Sequence, residues 1–327
     1  MANSGAGQQR WHFSPGTRAI SAPSAADGGV YVSSGSDVYA VDAATGEQRW
    51  SFTSGSDRTG TTHPTVADST VYFGTDHGDG RVYALDAATG HPRWKTTTGA
   101  PMRSTPLMAD GTLYVGGEKG LHALDATTGH QRWEFTPCQV SPRPAAADGV
   151  LYVHAGQRAG GGLYALDAAT GRQHWRFTTG REWGEGSGPA VADGTVYVGS
   201  GSSLYAVDAH TGHQKWEFRT SHYVTASPVV TNGLVYCGSW DNHLYAVEAA
   251  TGEPRWKFPT DGAVASPAVV SDGLVHFGSW DFTLYAVDAA TGDLHWKFPA
   301  TDWVNAPATM DGLTYLATRN GHLYAVQ

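Results

Sequence analysis

Two cysteines in 327 residues, Cys138 and Cys237, are too few for a disulfide framework. The repeat register described below puts them in different, non-adjacent units, so no bridge between them is expected and cysteine usage leaves the redox compartment open. Charge is scarce too: only 16% of residues are charged and the formal net charge is −9. A binder of phosphate backbones needs a basic stripe to release counterions, so no nucleic-acid partner is expected. No run approaches the roughly 18 apolar residues that span a membrane as a helix, so no membrane insertion is expected. Met1 to Gln8 (MANSGAGQ) has no basic start, apolar core or cleavage site. No signal peptide is read there, and the expected setting is the cytoplasm or a domain excised from an exported chain. None of Asn3, Asn232, Asn242, Asn305 and Asn320 opens a glycosylation sequon, and helical periodicity is missing throughout.

What the chain has in plenty is glycine, 42 residues, with 16 Pro, 12 Trp and 15 Tyr, the composition of an all-β protein with many turns and large aromatic packing units. A tryptophan recurs at Trp11, Trp50, Trp94, Trp133, Trp175, Trp216, Trp256 and Trp296, every 39 to 44 residues. A proline keeps the same phase at Pro23, Pro64, Pro106, Pro144, Pro189, Pro228, Pro267 and Pro307. Such a period is the signature of stacked supersecondary units.

Each unit reads as four short strands. After the proline, a run such as Ala268 to Val270 is turned back by Asp272-Gly273 into Leu274 to Phe277, because Asp-Gly or Asn-Gly supplies the positive φ values of a type I′ hairpin. Seven units keep this pair; Asp68-Ser69 departs from it, and a strained or altered turn is expected there. A third strand of the LYAV type, a turn such as Asp288 to Gly292, and an outer strand of the HWKF type follow. Four antiparallel strands per ~40 residues, repeated in a ring, describe a β-propeller. The chain begins with an outer strand, Arg10 to Phe13, and its last unit, ending on Leu323 to Val326, lacks one. Joining them makes an eighth blade and removes the free sheet edges. The expectation is a single domain over residues 9–327, monomeric, with residues 1–8 as a flexible tail.

The motif A-x-D-x-x-T-G-x-x-x-W stands at Ala40, Asp42, Thr45, Gly46, Trp50 and again at Ala84, Asp86, Thr89, Gly90, Trp94, with like sets ending at Trp133, Trp175, Trp216, Trp256 and Trp296. One set carries Glu248 in place of Asp. It resembles the tryptophan-docking motif of the pyrroloquinoline quinone (PQQ) type eight-bladed propellers. The resemblance implies that the eight tryptophans, with Trp11 in the C-terminal blade, fasten blade to blade. Family function divides into quinone-dependent dehydrogenases, scaffolds of outer-membrane assembly, and sensor propellers on bacterial kinases. The dehydrogenases are longer and carry an adjacent Cys-Cys pair and a calcium-binding set; here Cys138 and Cys237 are isolated and the blades minimal, so no quinone cofactor is expected.

The Asp-Gly hairpins and Thr-Gly corners share one monotonous face. The loops before each proline, and those between second and third strands, vary, and variation across repeats on one face is where binding resides. That face carries Arg103, Arg143, Glu182, Trp183, Glu185, His222, Tyr223, Trp240, Trp280, Trp303, Asn305 and Arg319. Trp183, Tyr223, Trp240, Trp280, Trp303, Asn305 and Arg319 are the expected contacts for a protein or small ligand, since Trp and Arg are favoured anchors.

Several of the 15 histidines align with polar surface positions: His91, His130 and His213 follow Thr-Gly, and His174 and His295 align with arginines. His210 and His213 form an H-x-x-H without a third ligand nearby in sequence, so no metal site is expected. His63, His154 and His222 depart from their repeat positions. With Arg103 and Arg143, His63 and His222 would supply acid-base and anion-pairing groups if the central funnel were catalytic. The nucleophile elbow fails at Ser187 (GEGSG is out of phase), the Gly-rich segments lack a following helix, and Asp241 and Asp281 in GSWD read as turn caps. A non-catalytic binding or scaffold module is the leading expectation; an enzyme with its site in the funnel is the alternative.

Overall fold

The computed structural model describes residues 5–16, 19–55, 60–136, 139–140, 143–156, 162–179 and 186–327, with the side chains of 5 and 6 left aside. It is an all-β ring of eight blades, each built on a four-stranded antiparallel sheet, to which blade 7 adds a short fifth strand in parallel. The first blade shows the pattern: Ser24–Ala26 innermost, then Gly29–Ser34, Asp37–Asp42 and the outer strand Gln48–Thr53. Innermost strands neighbour one another around the ring and surround its axis. The second strand is buried on both faces while the outer strand alternates, because the middle of a blade is covered by both neighbouring blades.

Closure uses the two ends of the chain. Gln9–Phe13 forms the outer strand of blade 8, antiparallel to Leu323–Val326, with Trp11 opposite Ala325 and Phe13 opposite Leu323. The hairpin chemistry holds as well: Asp27, Asp110, Asp148, Asp193, Asn232, Asp272 and Asp311 take φ of 46 to 52°, each followed by a glycine at positive φ. Asp68-Ser69 builds the same turn, and Ser69 is forced to φ 54°, a left-handed conformation that a side chain disfavours.

The core is divided among the blade interfaces. A representative cluster joins Tyr31, Val38, Ala40 and Trp50 of blade 1 to Val71, Phe73, Tyr83, Leu85 and Ala87 of blade 2. Here Trp50 Nε1 and Tyr31 Oη both donate to the Ala87 carbonyl, at 2.9 and 3.2 Å. The same double anchor recurs around the ring, ending with Trp11 and Tyr315 on the Ala43 carbonyl. Each indole lies flat under a motif glycine. A Cβ on Gly46 would sit 2.7 Å from Trp11 Cδ2, and Gly46 has φ 78°, so both contact and conformation demand glycine.

The interface between blades 7 and 8 departs from this rule. For Trp296 the turn that supplies carbonyl and glycine would follow Gln327. The amino-terminal segment fills the gap: Gly5–Ala6 pairs in parallel with Trp296 and Lys297, Gly7 N donates to the Lys297 carbonyl, and Gln8 bonds Gln327. A Cβ on Gly7 would meet Val326 Cγ1 at 2.7 Å and Trp296 Cε3 at 2.9 Å. Gly7 precedes Trp11 by the same spacing as Gly46 precedes Trp50, so the eighth motif is split between the chain ends. Residues 5–8, expected to belong to a free tail, are therefore laid against blade 7, over the Trp296 socket. His276 takes the place held elsewhere by tyrosine; its Nδ1 lies 3.2 Å from Thr314 Oγ1, and its ring lies 5.5 Å from that of Trp296.

Candidate functional site

The turns of the monotonous face are held by the motif carboxylates. Asp42 Oδ1 accepts from the amides of Ala44 and Thr45 and from the Thr45 hydroxyl, and Oδ2 takes the Arg49 guanidinium at 2.8 Å. These bonds, led by Arg49, hold the Asp42 carboxyl down to about 2. This shift belongs to structure, since the geometry repeats in Asp86 and Asp125 with Arg93 and Arg132.

On the opposite face the loop before each proline bonds the loop between second and third strands at a fixed register. Trp240 N donates to the Tyr223 carbonyl, Trp280 N to Ala263, and Arg319 N to Trp303. Tyr223 and Trp303 are thus equivalent positions, as are Trp240, Trp280 and Arg319. In other blades the equivalents are small or polar: Gly60 with Asp76, Pro101 with Glu118, Gln139 with Gly156. Among the described residues, large aromatics are gathered over blades 6 to 8.

There they touch across blades. Trp240 lies 4.8 Å from Trp280 between ring centroids, Trp280 stacks on Trp303 at 4.5 Å with planes 9° apart, and the Arg319 guanidinium covers Trp303 at 4.6 Å. His222 stacks on Trp240 at 5.9 Å, and Tyr223 meets the same ring edge-on. The row runs His222, Trp240, Trp280, Trp303, Arg319. It is anchored by Trp240 Nε1 donating to Thr225 Oγ1 at 2.9 Å, and by Asp241 and Asp281. Each of these carboxylates caps a pre-proline loop amide, Ser221 or Asp261, and accepts a tyrosine hydroxyl, Tyr245 or Tyr285. The tyrosine protons are held tightly: burial first, then the carboxylate, raises both phenols.

Five of the seven expected contacts, Tyr223, Trp240, Trp280, Trp303 and Arg319, are brought together. Asn305 stands apart from the row, its Nδ2 donating to the Ile20 carbonyl across the blade 8 to blade 1 joint at 2.7 Å. Trp183, with Glu182 and Glu185, lies outside the described residues. Sequence reasoning missed Phe282, the exposed large hydrophobic at 44% exposure, which takes φ 67° in the loop that carries Trp280. Asn242, also at positive φ, stands at its place in the sister loop, so an aromatic in a slot that favours asparagine was the available signal.

The four groups of the funnel alternative separate. Arg103 is bonded to Glu118 at 2.6 Å on the loop surface, and His222 belongs to the aromatic row. His63 and Arg143 remain, each directly before the proline that opens an innermost strand. Both are open to solvent yet crowded by protein around the axis, and this desolvation lowers both pKa values. His154 is internal: its Nδ1 donates to the Ser187 carbonyl at 3.1 Å, burial pushes its pKa down to about 4, and Gly186 leaves the space its ring occupies.

Of the two cysteines, Cys138 lies outside the described residues. Cys237 is buried opposite Tyr245 in the blade 6 sheet with its thiol pushed up to about 12 by burial. Among the described residues no three His, Cys, Asp or Glu side chains gather to hold a cation. Among the described residues no helix is long and apolar enough to cross a membrane. A cavity of about 460 Å³ on the rim between blades 1 and 2, lined by Phe52, Arg81, Tyr83 and Trp94, lies far from the aromatic row in the ring.

The architecture defines an eight-bladed PQQ-like propeller. The family model described as outer membrane protein assembly factor BamB matches residues 2–51, 34–156, 78–182, 159–275 and 246–327, and the chain belongs to that family. No curated protein matches. Among solved structures, the computationally designed Ika8 protein is similar at TM-score 0.86 and 17% identity, covering 98% of this chain and 99% of its own. BamB from Moraxella catarrhalis is similar at TM-score 0.79 and 19% identity, with the same coverage. Quinohemoprotein alcohol dehydrogenase ADHIIG from Pseudomonas putida HK5 reaches 0.79 at 17% identity over 98% of this chain and 76% of its own. At these identities the likeness concerns the fold alone.

Proposed function

We propose that this propeller is a binding module that docks a protein partner on the aromatic row over blades 6 to 8. The observation that carries the reading is the asymmetry of the variable face: Trp240, Trp280, Trp303 and Arg319 are joined ring to ring, with exposed Phe282 beside them. Tryptophan and arginine dominate binding hot spots, and rings already held by their neighbours lose little side-chain freedom on binding. A hydrophobic residue kept at positive φ and in solvent is strain that packing alone does not explain. Membership of the BamB-like family supports a scaffold role.

The test is capture of partners by the purified chain, comparing wild type with Trp280→Ala, Trp303→Ala and, as a funnel control, His63→Ala paired with Arg143→Ala. Truncating a hot-spot tryptophan costs on the order of 2 kcal/mol or more, roughly 30-fold in affinity. The reading requires the tryptophan variants to lose the partner and the funnel variant to keep it. The reverse pattern would move the site to the axis, where His63 and Arg143 favour the enzymatic alternative.

A further inference from the structure

We propose that His12 and His322 form a two-imidazole site for a divalent transition metal, zinc, nickel or copper, which clasps the first strand of the closing blade to the last. His12 lies on the outer strand Gln9–Phe13, and His322 directly precedes the third strand Leu323–Val326, 310 residues later. Alternation sends Trp11 into the core and His12 to the outside. There His12 Nε2 and His322 Nδ1 converge to 2.8 Å, with ring centroids 4.9 Å apart.

Both rings are positioned from behind. Tyr324 flanks them at 5.0 and 6.0 Å, and the backbone register is fixed by the pairing of His12 with Tyr324 and Phe13 with Leu323. The His322 amide donates to Thr318 Oγ1 at 3.2 Å. Among the described residues neither imidazole is ion-paired to a carboxylate, so their inner nitrogens face only each other.

In the free protein one of these nitrogens donates its proton to the other. A tautomer change moves that proton to the outer nitrogen of the same ring, leaving two lone pairs aimed at one point with no net loss of protons. Metal–nitrogen bonds of about 2.0 to 2.1 Å in tetrahedral geometry separate the nitrogens by roughly 3.3 Å, so the rings must part by only about 0.5 Å. Imidazole suits zinc, copper and nickel, and water completes the shell. The donors come from opposite ends of the chain and meet only in the closed ring, so the cation binds the folded state alone and stabilises closure. His210 and His213, the H-x-x-H on an outer turn, are both exposed.

The experiment is calorimetric titration of the full chain with zinc or nickel chloride at neutral pH, for wild type, His12→Asn, His322→Asn and His213→Asn. Wild type and His213→Asn should take up one cation per chain, and the other two should bind at least about tenfold more weakly. With metal at 100 times its dissociation constant, the wild-type melting temperature should rise by roughly 2 to 5 °C. Unchanged affinity in His12→Asn or His322→Asn, or no uptake by wild type at about 1 mM metal, would overturn the proposal. Should a variant fail to fold, hydrogen exchange on wild type decides. Metal that slows exchange at the Trp11 and Phe13 amides supports the clasp, and metal that leaves it unchanged rejects it.

Discussion

Replacing Ser69 by glycine should stabilise the protein. Seven hairpins place glycine at this position with φ between 66 and 75°, and Ser69 alone holds a side chain there, at 54°. A side chain in the left-handed region costs roughly 1 to 2 kcal/mol, and the greater freedom of glycine in the unfolded chain returns about 0.5 to 1 kcal/mol of that. A net gain of about 0.5 to 1 kcal/mol remains. The exchange leaves the local bonds intact, because Ala87 N and Arg93 Nη2 both use the Ser69 carbonyl, and the side chain is exposed. Gly111 supplies the reciprocal, since nothing lies within 4 Å of a Cβ built there and its φ is 67°. Gly111→Ser should therefore lose what Ser69→Gly gains. Denaturant midpoints measured at constant slope report both, with a shift on the order of 1 to 2 °C in melting temperature. A Ser69→Gly midpoint at or below wild type, alongside a destabilised Gly111→Ser, would show that the serine turn stores no strain.

Gly7→Ala should destabilise by about 1 to 3 kcal/mol through overpacking against Trp296 and Val326, whereas Gly55→Ala, whose Cβ meets only Arg81 Nη1 at 3.8 Å, should be close to neutral; melting both variants checks the lid on the last socket. His154 should make the protein acid-sensitive. Its pKa lies near 6.5 when unfolded and about 4 when folded, so the unfolded chain takes the proton first and stability falls as pH drops from 6.5 towards 4, by up to roughly 3 kcal/mol. Stability profiles of wild type and His154→Asn should diverge across that window; parallel profiles would mean that the buried imidazole is protonated at no cost.

The ring was legible because its determinants repeat. Tryptophan, proline and Asp-Gly each mark the same phase, and closure follows from which strand each end lacks. The aromatic row was legible only as a set of names. That Trp280 would stack on Trp303, and Arg319 on Trp303, depends on the register between loops of successive blades, which no single repeat encodes. The seam between blades 7 and 8 was hidden differently. His276 breaks a column of tyrosines, and Gly7 to Trp11 keeps the motif spacing, but both are single departures whose meaning needs the neighbouring blade. The supposed tail was misread because a polar, glycine-rich segment looks unstructured until the tryptophan it covers is known.

The split eighth motif also sets an order of events during synthesis. Trp11 is made 314 residues before its strand partner Ala325. Until then the opening strand has an unpaired edge and an indole with no blade to complete. The other blades can form in succession as each becomes whole, and the strand that carries Trp11 must wait for Leu323–Val326. A chain stalled just short of Leu323 would thus hold seven finished blades and one adhesive edge, which marks that interval as the window in which chaperone capture or strand exchange between chains competes with closure.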